Sequence, residues 1–356
     1  MKKLHSSSLR WVVYRCILTA VLGGSLLVSS GLAQSTAKYA GEFIAIGIGG
    51  RALGMGSAYT AVADDITSGY WNPAGLSSID FPQIALMHDE RFAGLVNYDY
   101  GAVALPLGPV STLALSVIRL GVDNIPNTQY AGVDINGLPL PPDQWQNFVR
   151  IDQNRITYFN AADWAFFLSY ARKITESFSY GANLKLIHRD VESATAVGIG
   201  FDLAVRYAMT RNFIVGANVQ DVTTTLVAWS TGRNELITPT VRTGGAYTVN
   251  ALSGRFTPAL DMDVRFENRR SSSAFHVGGV SFDAHAGLEY DFQNIIAVRT
   301  GYTDAKEWTL GAGIHLPKLR IDYSFARLKD SEESLKTHRI SLIFTLEADQ
   351  FRRTPR

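Results

Sequence analysis

From about residue 83 onward, the chain alternates apolar and polar residues with a period of two. In the segment 178–189, for example, Phe178, Tyr180 and Leu184 fall on one face. The other face of that segment carries Ser179, Gly181, Asn183, Lys185 and Arg189. Because successive side chains of a β-strand point to opposite sides, this pattern predicts strands that are apolar on one face only.

A soluble β-sandwich and a membrane β-barrel both produce such alternation, and three features favour the barrel. Many runs reach about ten residues, longer than the usual strand. Their polar faces carry few Lys and Glu, and their apolar faces carry aromatic residues near the strand ends, as the aromatic girdles of membrane barrels do. These aromatic residues are Tyr98, Trp164, Tyr170, Tyr180, Tyr207, Tyr247, Tyr290, Trp308 and Tyr323. The sequence therefore predicts an all-β membrane protein with an antiparallel transmembrane β-barrel.

The number and spacing of the alternating runs are consistent with a closed barrel of about fourteen strands. The runs lie near 83–89, 95–106, 111–120, 162–172, 177–189, 197–208, 212–221, 239–249, 255–267, 280–292, 294–303, 307–316, 318–328 and 337–347. Short connections alternate with longer ones, as periplasmic turns alternate with external loops in outer-membrane barrels. The longest connection, from Gly121 to Asn160, is rich in Pro, Asn, Gln and Asp. It is either a cap that docks a partner or a flexible solvated loop.

Residues 1–33 have the features of a secretory signal peptide, with a basic start, a short apolar core and small residues before Gln34. An uncleaved membrane anchor is the alternative, but the apolar core is short for a membrane span. Cys16, the single cysteine of the chain, and four basic residues would leave with this segment. The remaining excess of acidic side chains argues against a nucleic-acid partner. We therefore expect a barrel surrounded by the lipid of the outer membrane of a Gram-negative bacterium.

The segment 34–80 does not alternate, and we expect it to form a hatch, a short N-terminal plug inside a barrel of residues 81–347. It is rich in glycine and alanine and ends in a turn fixed by proline. Its most distinctive residues are Arg51, Gly54, Gly56, Asp64, Asp65, Asn72, Pro73 and Ala74. The run from Gly47 to Ala52 also fits a dinucleotide-binding loop, but no βαβ unit surrounds it.

This order of residues resembles the N-terminal signature of the PorV/PorQ family, a branch of the FadL-like outer-membrane proteins. The resemblance covers roughly residues 41–80 and is carried mainly by Asn72-Pro73-Ala74. It implies a fourteen-stranded barrel and a non-enzymatic component of type IX secretion. Such a component would handle the C-terminal domains of secreted cargo proteins and pass them to a secretion translocon.

The alternative function is FadL-like passive transport of hydrophobic small molecules, such as fatty acids or aromatics, across the outer membrane. Such a transporter needs an opening hatch or an interrupted wall strand. Pro106, Pro239 and Pro258 are candidate interruptions because proline cannot donate to the strand ladder.

Charged and amide side chains on the predicted inward faces form the candidate polar lining of the lumen. They are Asn183, Lys185, Arg189, Asp202, Arg206, Arg242, Asp261, Asp263 and Arg265. These groups either pair with one another and with Arg51, Asp64 and Asp65 to hold the hatch, or they form a transport gate.

Motifs that carry catalysis or bind cofactors were not found. The sequence lacks Gly-x-Ser-x-Gly, His-Glu-x-x-His, calcium-loop and phosphate-loop patterns, and its histidines after residue 33 are scattered singly. We expect no enzymatic activity, no cofactor and no metal, although a Ser/His pair at the lumen rim would suit a barrel phospholipase. The C-terminal residues 348–356 do not end on an aromatic residue, so either the assembly signal is internal or this tail is disordered.

Overall fold

The computed structural model describes residues 41–92, 94–147, 149–267, 273–327 and 337–353. The predicted signal peptide lies outside these residues. Within the described ranges, no helix has both the length and the apolar character needed to span a membrane.

Fourteen strands of the described chain form a closed antiparallel barrel. They are β1 Gln83–Arg91, β2 Val96–Leu107, β3 Ser111–Asn127, β4 Thr157–Lys173, β5 Phe178–Val191, β6 Ala194–Ala208, β7 Phe213–Gln220, β8 Thr240–Tyr247, β9 Gly254–Arg265, β10 Val280–Phe292, β11 Ile296–Tyr302, β12 Trp308–Leu316, β13 Leu319–Arg327 and β14 Thr337–Thr345. Each strand pairs with its neighbours in sequence, and the last strand pairs with the first, from Gln83↔Thr345 to Glu90↔His338. The predicted fold class is confirmed.

Shorter elements decorate the barrel and fill it. Four short strands extend the barrel sheet beyond these fourteen: Thr225–Trp229, Asn234–Ile237, Val249–Ala251 and Phe275–Val277. Gly132–Val133 and Arg150–Ile151 form a separate two-stranded sheet. The hatch contains α1 Glu42–Ala45, α2 Gly50–Gly54, α3 Ser68–Trp71 and the 3₁₀-helix Pro73–Ser78. Further 3₁₀-helices span Pro142–Asn147, Gln153–Arg155 and Asp349–Phe351. Because β3 and β4 extend beyond their predicted ends, the longest connection is shorter than predicted and contains a two-stranded sheet.

The barrel wall is apolar outside and polar inside. In β6, Phe201 and Leu203 are exposed on the outer surface, whereas Asp202 is 1% exposed. Strand β2 departs from the prediction, because Tyr98 faces inward and is fully buried rather than lying in an aromatic girdle. Tyr98 and Tyr100 belong to an apolar cluster shared with the hatch, and this packing reverses the face that we expected to meet lipid.

Strands β7 and β8 are interrupted in their external halves. Beyond Gln220 the chain leaves the ladder and resumes it at Thr225, with positive φ angles of 54° at Asp221 and 58° at Thr224. The chain likewise leaves the ladder between Ile237 and Thr240, where Pro239 lies. We call residues 221–224 and 238–239 the wall break.

The other two candidate interruptions are wrong, because Pro106 and Pro258 lie inside continuous strands. Pro106 pairs with Thr112 of β3 but extends past the end of β1. Pro258 pairs with β10, at a point where the ladder on its other side is open between Ala259 and Phe256. Each proline therefore has a ladder partner on one side only, where its missing N–H is tolerated.

The end of the chain folds back onto the barrel, so the alternative of a disordered tail does not hold for residues 348–353. The Arg353 backbone N–H donates to the Asp80 carbonyl at 2.7 Å. Its guanidinium donates to the Ile79 carbonyl and to Thr112 Oγ1, both at 2.6 Å. The tail thereby fastens the end of the hatch to β3.

Candidate functional site

The Asn72-Pro73-Ala74 turn anchors the hatch to the wall. The Asn72 side-chain amide donates to the Thr60 carbonyl at 2.8 Å and to the Val205 carbonyl of β6 at 3.1 Å. Its side-chain oxygen accepts from the Ala74 N–H, which caps the following 3₁₀-helix. This motif therefore joins two parts of the hatch to the barrel. The amide side chain of Asn72 is what makes these three hydrogen bonds, which explains why asparagine stands at this position.

The hatch backbone rests on glycines of the wall. A Cβ atom on Gly287 would lie 2.9 Å from Met55 Cβ, and one on Gly216 would lie 2.6 Å from the Thr60 carbonyl oxygen. On the hatch side, a Cβ on Gly54 would lie 3.0 Å from Gly311 Cα. The wall glycines that approach the hatch in this way are Gly181, Gly216, Gly287, Gly301 and Gly311. Glycine is required where two backbones come this close.

A network of buried charges joins the hatch to β10, β11 and β13, and we call it the hatch network. The Arg51 guanidinium donates to both carboxylate oxygens of Glu289 at 2.8 Å and to Asp64 at 2.7 Å. Arg299 donates to Glu289 and to Asp322 at 2.7 Å. Arg320 pairs with Asp65 of the hatch, which completes the network.

Burial acts to raise the pKa of the Asp65 carboxyl, but the charges of Arg320 and Arg51 outweigh it and hold the pKa below its ordinary value. Burial likewise acts to lower the pKa of the Arg51 guanidinium, and Asp64 and Glu289 outweigh it, so the net pKa is raised. Both groups are therefore charged at neutral pH. The hatch members of this network were predicted from the sequence, whereas its wall members Glu289, Arg299, Arg320 and Asp322 were not. Their inward positions in alternating strands were the available signal.

The predicted lumen residues all lie on the inner wall, in several separate groups. Asp261 accepts the backbone N–H groups of Tyr59 and Thr60 at 2.9 and 2.8 Å. Arg206 donates to the Ala61 carbonyl at 3.2 Å. These two residues hold the middle of the hatch.

Arg189 lies toward the external end of the lumen and forms a second group. It donates to both carboxylate oxygens of Asp163, at 2.8 and 2.9 Å. Its guanidinium also lies 6.0 Å from the ring of Phe43 in α1 and 5.3 Å from the ring of Trp229. Arg189 therefore links α1 to the external end of the barrel wall.

A third group closes the wall break from inside. Lys185 Nζ lies 2.8 Å from Asp202 and 2.6 Å from Asp221, the first residue of the break. The Asn183 amide donates to Asp202 at 2.9 Å and to the Gly69 carbonyl at 2.8 Å. These contacts tie the break both to the two preceding strands and to the hatch.

The fourth group is centred on Asp263 and lies above the hatch. Arg242 donates to both carboxylate oxygens of Asp263 at 2.6 Å, and its guanidinium lies 5.0 Å from the ring of Trp71. Arg265 lies 3.7 Å from Asp263, and His285 lies 3.6 Å from it. One carboxylate thus faces three basic side chains.

Two cavities lie between the hatch and the external loops. The mouth cavity, of about 180 Å³, is bounded by the loop 303–307, by the floor residues Leu53 and Trp71, and by basic side chains. These basic side chains are Arg91, Arg242, Arg265, His285 and Arg339. The wall cavity, of about 70 Å³, lies between α1 and the wall break and includes Ile44, Phe167 and Lys185. Ala45, Arg242 and Arg265 line both cavities and separate one from the other.

Comparison with known proteins places the fold. No protein-family model matches the chain, and no curated protein matches it. Among solved structures, the toluene transporter TodX of P. putida superposes with a TM-score of 0.61 at 13% identity, covering 85% of this chain and 99% of that chain. The Ralstonia pickettii toluene transporter TbuX gives a TM-score of 0.53 at 14% identity, covering 83% and 97%. A Pseudomonas aeruginosa FadL homologue gives 0.52 at 11% identity, covering 89% and 100%.

The fold is that of a FadL-like outer-membrane barrel. This fold agrees with the location predicted from the sequence, the outer membrane of a Gram-negative bacterium. The matching structures are described as transporters, channels or FadL homologues rather than enzymes. At these identities the likeness concerns the fold, and the comparisons do not single out the PorV/PorQ branch.

Proposed function

We propose that this protein is a passive transporter of hydrophobic small molecules across the outer membrane. The observation that carries the proposal is the arrangement of the two cavities relative to the wall break. The mouth cavity lies beneath an external loop, and the wall cavity is bounded by Gln220, Asp221, Thr238 and Thr240, the residues at or beside the break. Together they mark a route from the outside to an opening in the wall, which passes above the hatch.

The composition of the wall cavity suits such a route. Ile44, Phe167 and Ile237 supply apolar surface, and polar side chains border it on the side of the break. Lys185, Asp202 and Asp221 hold the break closed in this state, so release of a substrate into the membrane requires these contacts to separate. While a substrate follows this route, the part of the hatch that comes after α1 stays docked on the wall glycines.

Transport of a neutral aromatic compound tests the function directly. Uptake of radiolabelled toluene is to be measured in intact cells of a Gram-negative host that express the full chain, with labelled sucrose as the hydrophilic control. We expect toluene uptake to exceed that of cells with an empty vector, and sucrose uptake to stay unchanged, because the docked hatch fills the lumen. Equal toluene uptake with and without the protein would refute the proposal.

A role in type IX secretion is supported by the hatch motif, which the FadL-like fold also accommodates. The matching solved structures support the transporter instead. Purification of the intact protein in mild detergent separates the two functions. Secreted proteins with a common C-terminal domain, recovered together with the barrel, would favour the secretion component.

A further inference from the structure

We propose that the mouth cavity binds small organic carboxylates, with the acidic group at Arg242 and Arg265 and the apolar body on the hatch. The inference rests on the proposed transport function and assigns it a class of substrate. It differs from a hydrocarbon site because charged side chains form much of the cavity wall.

Two arginines of the cavity, Arg242 and Arg265, each have a buried N–H group without a hydrogen-bond partner in the described part of the chain. Arg242 is 5% exposed, and it uses Nε and Nη2 on Asp263, while its Nη1 has no hydrogen-bond partner in the described part of the chain. The Nε of Arg265 also lacks a hydrogen-bond partner there, its nearest carboxylate atoms being 3.7 Å away. A buried N–H of a charged group that has no partner is costly, and a carboxylate is the acceptor that matches an arginine fork.

The distribution of charge favours an anion on the inner wall. Arg91 and Arg339 share the carboxylate of Asp89, at 3.8 and 3.1 Å. Arg242, Arg265 and His285 face Asp263, and Arg265 also faces Asp283. Asp304 and Glu307 line the cavity from the loop over the mouth, and the charge of Glu307 acts on Arg91 and Arg339. A bound carboxylate would therefore turn toward Arg242 and Arg265 and away from the loop.

The floor of the cavity and its size define the rest of the ligand. Ala45, Ile46, Leu53 and Trp71 of the hatch offer an apolar surface beside the arginines. The volume of about 180 Å³ exceeds the roughly 150 Å³ of an engineered apolar cavity that holds benzene. The cavity therefore fits one aromatic ring with a carboxylate, such as benzoate. A hydrocarbon of the same size would leave the arginine N–H groups unpaired.

Benzoate and benzamide provide a matched pair of probes, because they have nearly the same shape and differ in charge. Binding of each to the purified full-length protein in detergent is to be measured by isothermal titration calorimetry. We expect benzoate to bind at least about tenfold more tightly than benzamide, since a hydrogen bond to a charged group is worth more than one to a neutral group. Arg265→Gln should remove most of this difference while leaving the Arg242–Asp263 pair intact.

Two further variants keep the test decisive. Arg242→Met removes one of the two arginines while Asp263 keeps Arg265 and His285 at 3.7 and 3.6 Å, and it should also abolish the preference for benzoate. Lys173→Gln alters an exposed basic side chain that lines neither cavity and does not hold the hatch, and it should retain the preference. Equal binding of the two probes, or no binding of either, would overturn the carboxylate site, and toluene uptake would then still decide the transport function separately. An equal loss of preference in Lys173→Gln would overturn it as well.

Discussion

Replacing Gly301 with valine is expected to displace the hatch and open the barrel to hydrophilic solutes. A Cβ atom on Gly301 would lie 2.6 Å from the Met55 carbonyl oxygen and closer still to the Gly56 backbone nitrogen. Gly56 has a φ of 63°, and a Cβ atom there would also strike the wall. Both contacts involve backbone on each side, so no side-chain rotation relieves them. The cost should be at least the roughly 1–3 kcal/mol of an overpacked core.

Single-channel conductance in a planar bilayer measures this opening. The native protein should show a closed baseline, and the Gly301→Val variant should show frequent open events with an ion current. Gly101→Val is the matched control, because the nearest atoms to its added Cβ are 3.7 and 3.9 Å away. That variant should stay closed. A Gly301→Val barrel with a native baseline would show that the hatch does not depend on this close approach.

Removal of Arg51 is expected to destabilise the protein by about 3–5 kcal/mol, the usual result of breaking a buried ion pair. Arg51 is 8% exposed and Glu289 is 2% exposed, so water cannot take the place of a lost partner of either side chain unless the hatch opens. In Arg51→Met, Glu289 keeps its bond to Arg299, but two of its hydrogen bonds are lost. Asp64 is less affected, because 44% of its side chain is exposed to solvent.

Urea unfolding followed by tryptophan fluorescence gives the free energy of unfolding for each variant. The double variant Arg51→Met/Glu289→Gln should lose less stability than the sum of the two single variants, because it removes both charges together. Lys173→Met is the control for an exposed pair, since Lys173 and Glu176 are 2.7 Å apart but have side-chain exposures of 36% and 84%. Its cost should stay within about 0.5 kcal/mol. Strict additivity in the double variant would contradict the hatch network.

The barrel could be predicted from the sequence because its signal is local. Each strand repeats the same alternation, and residues such as Ile199, Phe201 and Leu203 must all meet lipid for the wall to be stable. The hatch motif was equally readable, since a proline after Asn72 and closely spaced glycines restrict the backbone. The inward placement of Lys185 and Asp202 followed from the same alternation.

The pairing of these residues could not be predicted, because it depends on strand register and on the depth of the hatch. Tyr98 shows the limit of the alternation argument. A tyrosine suits either a membrane interface or a packed interior. Tyr98 faces the interior because it packs there against apolar residues of the hatch. The wall glycines were missed for a related reason. From the sequence alone, a glycine within a strand indicates a less stable strand or a bulge. Its role in a close backbone approach is recognised only when the approaching segment is known.

The prolines show the same dependence on neighbours. Pro239 lies in the wall break, while Pro106 and Pro258 lie in strands that continue through them. The sequence around the three prolines does not distinguish an interrupted strand from a continuous one. The outcome depends on whether the neighbouring strands extend past the proline. The break itself was therefore found in the structure, where interruptions of two paired strands coincide.

The most direct test of the proposed route is toluene uptake by a barrel whose hatch is covalently fixed. A Cβ atom on Gly69 of α3 would lie 3.8 Å from the Cβ of Ser169 in β4, which matches the usual spacing in a disulfide. The single native cysteine, Cys16, belongs to the predicted signal peptide, so Gly69→Cys/Ser169→Cys introduces a unique pair into the mature chain. Each single-cysteine variant serves as a control, measured with and without a reducing agent.

A route above the docked hatch predicts that the oxidised double variant takes up toluene at the rate of the reduced one. Uptake that stops on oxidation and returns on reduction would show instead that the substrate passes through the hatch, and would contradict the route proposed here.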